Sequence, residues 1–86
     1  MYKILIVEDD EGIAESLSRQ ISSWDMEPHL ISDFHKVMQE FAAVSPHLVL
    51  LDIMLPFYNG YYWCSEIRRV SKVPIVFLSS ASDNMN

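Results

Sequence analysis

Cys64 has no second cysteine to pair with. An intramolecular disulfide is therefore excluded, and a lone thiol suits a reducing cytoplasm. Basic residues are also scarce: six lysines and arginines stand against twelve acids, for a formal charge of −6. That balance argues against nucleic acid or an anionic membrane as a direct partner. The N-terminal apolar run, Ile4 to Val7, is far too short for a signal h-region or a membrane span. Low-complexity tracts, internal linkers and long charge blocks are missing too, so no stretch reads as disordered. What is present fits one small domain: 86 residues, half of them hydrophobic. A chain of that size buries about 60–65% of its unfolded surface.

The pattern inside that domain is set by Leu48-Val49-Leu50-Leu51-Asp52, an apolar run that ends in a carboxylate. Such a run reads as a strand buried on both faces, as parallel strands are. The same grammar appears in Tyr2 to Val7 followed by Glu8-Asp9-Asp10, and in Pro74 to Leu78 followed by Ser79-Ser80. Between these strands lie helical patterns. Glu11 to Trp24 carries a stripe of Ile13, Leu17, Ile21 and Trp24, with Asp10 as its N-cap. A second helix runs to about Val44 from a cap at Ser32 or Asp33, with Phe34, Val37, Met38 and Phe41 on its apolar side, and ends at Ser45-Pro46. A third spans Tyr61 to Val70 after an Asn59-Gly60 turn, with Cys64, Ile67 and Val70 facing inward. Of Tyr61, Tyr62 and Trp63, at least one must face solvent. His29 to Ile31 makes a short edge strand after Pro28. Strands alternating with helices of about ten residues imply an α/β fold, a parallel sheet with helices on both faces. The fourth strand is apolar throughout, which implies a covered edge. Either these residues belong to a larger domain, or a second copy covers the edge by self-association or domain swapping.

Open α/β sheets bind ligands beyond the carboxyl ends of their strands. Glu8, Asp9, Asp52 and Ser79 all fall there. If the three acids lie within about 4–5 Å, each like-charge pair costs roughly 3–4 kcal/mol at an effective dielectric near 20. Either one carboxyl keeps its proton or a cation sits among them. All-oxygen ligands select a hard ion, and two or three carboxylates with open water positions suit Mg²⁺. His29, His35 and His47 are scattered away from the strand ends, which disfavours zinc. Mg²⁺ among carboxylates and hydroxyls is a phosphoryl-transfer setting. Asp52 is the candidate nucleophile, Glu8 and Asp9 the metal-holding pair, and Ser79 a hydrogen-bond donor to a phosphoryl oxygen.

Three stretches together, Ile4-Leu5-Ile6-Val7-Glu8-Asp9-Asp10, then Asp52-Ile53-Met54-Leu55-Pro56 with Gly60, then Pro74-Ile75-Val76-Phe77-Leu78-Ser79-Ser80, resemble the receiver domain of bacterial two-component response regulators. The resemblance covers essentially the whole chain and implies a flavodoxin-like doubly wound parallel sheet. Residues 1–86 would supply strands in the order 2-1-3-4, with the fifth strand and last helices missing or supplied by another copy. It places the phosphoacceptor at Asp52, direct metal ligation at Asp9, water-mediated ligation at Glu8, a metal-binding carbonyl at Met54 and the phosphoryl-contacting hydroxyl at Ser79. Met54 and Ala81 would flank the pocket and tune acyl-phosphate hydrolysis. The implied donor is a phosphohistidine on a sensor histidine kinase. The chain would be a phosphoacceptor that assists its own phosphorylation and dephosphorylation rather than an enzyme with an outside substrate. The family's phosphoryl-pairing lysine belongs to the fifth strand; Lys72 lies at the wrong end of the fourth for that role. The aromatic loop Phe57-Tyr58-Asn59-Gly60-Tyr61-Tyr62-Trp63 looks most like winged-helix regulators of the OmpR/PhoB type in Gram-positive bacteria that answer envelope-active peptides. Two alternatives stand beside this reading. One is a receiver-like interaction module that takes no phosphate. The other is an aspartate-nucleophile phosphatase, disfavoured because its two aspartates would follow a single strand.

Overall fold

The computed structural model describes residues 1–79; Ser80 and Ala81 lie outside the described residues. Seven elements alternate: β1 (Lys3–Val7), α1 (Glu11–Ser23), β2 (Glu27–Leu30), α2 (Val37–Val44), β3 (Leu48–Asp52), α3 (Gly60–Arg68) and β4 (Ile75–Leu78). The four strands form one sheet in the order β2-β1-β3-β4, every neighbour parallel. The expected flavodoxin-like order is thus the observed one.

Strand alternation sorts the apolar residues into two layers. Ile4, Ile6, Leu48 and Leu50 point to the α1 side and meet Leu17, Ile21 and Met26. Leu5, Val7, Val49 and Leu51 point the other way, onto Val37, Phe41, Trp63 and Ile67 of α2 and α3. Leu5, Ile6, Val7, Val49 and Leu51 are buried almost completely. Each such side chain contributes roughly 1.5–3 kcal/mol through loss of water contact. The register that follows is what matters for function. Val7 pairs with Leu51, and Asp52 pairs with Leu78. The residues after Val7 and Leu78 therefore leave the sheet beside Asp52.

Several local expectations are corrected. Trp24 is not core: it caps α1 past its last turn and is 61% exposed, because Asp25 at φ 62° turns the chain away. Ile13 is likewise exposed, and Ala14 takes the buried place. β2 begins at Glu27 and includes Pro28, which an edge strand tolerates since its missing N–H falls on the unpaired side. Ile31 follows the strand but is buried, and its N–H still reaches the Ile6 carbonyl at 3.2 Å. Neither Ser32 nor Asp33 caps α2, whose N-cap is Lys36 without a side-chain bond. Asp33 to Lys36 form a turn instead, with Phe34 packed against the core from outside the helix. Glu40 reaches back from the first turn of α2 and accepts from Ser32 N–H, Ser32 Oγ and Asp33 N–H at 2.9–3.0 Å. In α3 the inward pair is Trp63 and Ile67; Val70 lies beyond the helix and is exposed, and Cys64 is half-buried. Tyr61 and Tyr62 face outward, as the crowding of three aromatics demanded. Along β4, whose neighbour among the described residues is β3, Val76 and Phe77 are partly exposed, which is the open edge expected of this strand.

Trp63 is 5% exposed, yet its Nε1 has no hydrogen-bond partner. Tyr58 and Tyr62 meet its ring edge to face, at centroid distances of 5.7 and 4.9 Å. Trp63→Phe keeps an aromatic ring in place and removes a buried unpaired donor. It is expected to change stability by less than about 1.5 kcal/mol, whereas Trp63→Ala should cost about 3–5 kcal/mol. Urea unfolding of the two variants measures the difference.

Candidate functional site

The carboxyl edge of the central strands gathers Glu8, Asp9 and Asp52. One carboxylate oxygen from each lies within 4.8 Å of the others. Asp52 ends β3 and is 1% exposed; Glu8, one residue past β1, is 7% exposed; Asp9 faces solvent. Strand pairing explains the convergence, since Val7 opposite Leu51 makes Glu8 and Asp52 neighbours. Asp10 turns the chain into α1 and accepts from Ile13 N–H at 3.1 Å, which is the N-cap role expected of it.

Few internal groups balance this charge. Among the described residues the ion pairs are His29–Glu27, His35–Asp33 and Arg69–Glu66, and none touches the cluster. The three histidines sit elsewhere, His47 accepting from Lys3 N–H at the opposite end of β1. Burial raises the Glu8 carboxyl from 4.5 to about 7. The Asp10 N–H, at 3.0 Å, opposes that rise, while the charges of Asp52 and Asp9 add to it. At 4.8 Å and an effective dielectric near 20, one like-charge pair costs about 3–4 kcal/mol. The donors are all oxygen and one of them is open to solvent, so the site fits a hard divalent cation that keeps part of its water shell.

The loop after Asp52 folds tightly onto it. Met54 N–H points to Asp52 Oδ1 at 3.4 Å, and Gly60 N–H donates to the Ile53 carbonyl at 2.9 Å. A Cβ on Gly60 would stand 2.2 Å from the Asp52 carbonyl oxygen. Only glycine fits there, for lack of space rather than for an unusual φ. Asn59 caps α3 by accepting from Tyr62 N–H at 3.0 Å. The Met54 side chain is 60% exposed, and Ser79 is exposed one residue beyond the Leu78–Asp52 pairing.

Beside the acids opens a cavity of about 390 Å³, walled by Glu8, Asp9, Glu11, Glu15, Phe34 and Ser32 among others. Glu11 suits the positive end of α1 by its place in the first turn, but that it and Glu15 wall this cavity is seen only in the fold. Their one shared signal was an acidic pair four residues apart on α1, which solvated helices carry as a matter of course. The contact of Gly60 with Asp52 depends on how the loop returns to the strand, which the Asn59-Gly60 turn signal does not report.

Comparison with known proteins agrees with this geometry. Residues 4–86 match the response regulator receiver domain. The chain is 45% identical over all 86 residues to the uncharacterized transcriptional regulatory protein YvcP of Bacillus subtilis, and 45% identical over 84 residues to the response regulator protein GraR of Staphylococcus aureus. It spans 36% and 38% of the lengths of these two relatives, and 100% and 98% of its own length is covered. Among solved structures, the N-terminal domain of the nisin resistance regulator NsrR superposes with a TM-score of 0.88 at 42% identity, over 100% of this chain and 73% of that one. The chain belongs to the receiver domain family of response regulators. No helix among the described residues is long and apolar enough to cross a membrane.

The raised Glu8 carboxyl makes a pH prediction. The folded state holds this proton more tightly than the unfolded chain does. The stabilisation is full below pH about 4.5 and is lost as pH rises through about 7. Metal-free protein should therefore lose up to about 3 kcal/mol from this group between those limits, and Glu8→Gln should flatten that part of the profile. Urea unfolding at pH 5 and pH 8 measures both slopes; parallel slopes would contradict the assignment.

Proposed function

We propose that Asp52 is the phosphoacceptor of a signalling switch that uses Mg²⁺ held by Asp9, Asp52 and the Met54 carbonyl, with Glu8 acting through water. The observation that carries this reading is the set of three carboxylates within 4.8 Å, two of them buried and none paired with a basic side chain among the described residues. A divalent ion bound there neutralises the oxygens of the incoming phosphoryl group. An Asp52 oxygen attacks phosphorus in line, the bond to the donor imidazole nitrogen breaks, and an aspartyl phosphate remains. Ser79 donates its hydroxyl to a phosphoryl oxygen. The new group brings roughly −2 charge and fresh acceptor atoms, which shift the population of the surface read by partners.

The donor proposed is a phosphohistidine of a sensor histidine kinase, the class of partner with which receiver domains of this family interact. The chain acts on itself and turns over no outside substrate. The whole protein is proposed to be a DNA-binding transcription regulator; that YvcP is described as a transcriptional regulatory protein supports this. A response to envelope-active peptides is supported by NsrR, which is described as a lantibiotic response regulator. The outer edge of β4, with Val76 and Phe77 half-exposed, is the place for a further strand, from the same protein or a second copy. The proposed setting is the cytoplasm, where a lone thiol such as Cys64 stays reduced.

Incubation with acetyl phosphate and Mg²⁺, followed by intact mass, is expected to show gain of one phosphoryl group. Asp52→Asn should abolish the gain, Asp9→Asn should lower it and raise the Mg²⁺ concentration it needs, and Ser79→Ala should slow it. Labelling that persists in Asp52→Asn would overturn the assignment. A protein that never gains the group would be the interaction module instead.

A further inference from the structure

Phe57 stands out in the loop between β3 and α3. Its φ is 71°, in the left-handed region that disfavours every residue with a Cβ except asparagine and aspartate. Tyr58 N–H donates to the Pro56 carbonyl at 2.9 Å across it, so residues 56–58 close a three-residue turn of the rare strained kind. The side chain is 63% exposed, so burial does not hold it there. What it does touch is His35. The two rings stack with centroids 3.6 Å apart and planes 28° from parallel.

The two partners differ in how firmly they are fixed. His35 belongs to the turn before α2. Its N–H donates to Asp33 Oδ1 at 2.9 Å, its Nδ1 lies 3.5 Å from the same oxygen, and Glu40 pins Ser32 and Asp33 with three hydrogen bonds. Phe57 belongs to the loop that leaves Asp52 and carries Met54. The ends of that loop are tied, by Gly60 N–H to the Ile53 carbonyl and Met54 N–H to Asp52 Oδ1, while Leu55 packs on the core and Tyr58 stacks on Tyr62; Phe57 between them is held by the strained turn and by His35. An anchored ring thus faces an exposed ring at the strained tip of that loop.

We propose that the His35–Phe57 stack is an interloop clasp that holds residues 53–59, and with them the Met54 carbonyl, in the shape the metal needs. Both are positioning residues: neither is among the carboxylates that converge at the site. The proposal rests on the metal-dependent phosphoacceptor reading for its consequence and on the loop geometry for its existence.

Two readouts in the intact protein that carries this chain decide it. Mg²⁺ titration followed by tryptophan fluorescence is expected to give about two- to tenfold weaker binding for His35→Ala and for Phe57→Gly. The double variant should bind no more weakly than either single one, and His35→Phe, which keeps a flat ring, should restore binding. Phe57→Ala should fall below Phe57→Gly, since alanine loses the ring and keeps the strain. In metal-free thermal unfolding, the Tm losses of His35→Ala and Phe57→Gly should sum to more than the loss of the double variant. Wild-type affinity in Phe57→Gly, or Tm losses that simply add, would overturn the clasp. A wild-type protein without any Mg²⁺ response would refute the phosphoacceptor reading instead. The clasp would then stand or fall on the Tm coupling alone.

Discussion

Three carboxylates, paired with no basic side chain among the described residues, are held at one edge of a four-stranded sheet, and most of the molecule is arranged around that repulsion. Asp52 cannot avoid the others, because the pairing of Val7 with Leu51 places the next residues of β1 and β3 side by side. Glu8 is driven toward its neutral form by burial and by its neighbours, and Asp9 stays in water. The resulting charge density is unfavourable in the bare protein and favourable once a divalent ion is present. Stability and function are thereby coupled at a single place.

The scaffold tolerates this because its cores lie elsewhere. Leu5, Val7, Val49 and Leu51 pack onto α2 and α3, while Ile4, Ile6 and Leu50 pack onto α1. Both layers end below the acidic edge. Above them the loops do the positioning by local means: Asp10 and Asn59 cap helices, Gly60 lets the chain return to within contact of Asp52, and Glu40 fixes the turn before α2. The stack of His35 on Phe57 joins the anchored side of this rim to the side that follows Asp52.

How much of this was legible in the chain follows from the range of each force. Long apolar runs that end in acid announced buried parallel strands, and the three acids that converge at their carboxyl ends could be named with no contact known. Helix caps that depend on one residue and its near neighbours, such as Asp10, were legible for the same reason. Trp24 and Val70 were misplaced because helical periodicity says nothing about where the helix stops, and both residues lie past the last turn. The start of α2 was missed because Glu40 secures Ser32 and Asp33 from seven and eight residues away, where no capping pattern extends. The His35–Phe57 stack joins two loops separated by a strand and a helix, and no short-range signal reports it.

The central claim is that the acids at the edge of β1 and β3 form one divalent-cation site. Crystals of the intact protein soaked in Mn²⁺, which replaces Mg²⁺ and scatters anomalously, test it most directly. The expected result is a single strong anomalous peak in contact with Asp9, Asp52 and the Met54 carbonyl, absent from Asp52→Asn crystals treated in the same way. No peak at this edge at saturating Mn²⁺, or a peak that survives Asp52→Asn unchanged, would contradict it.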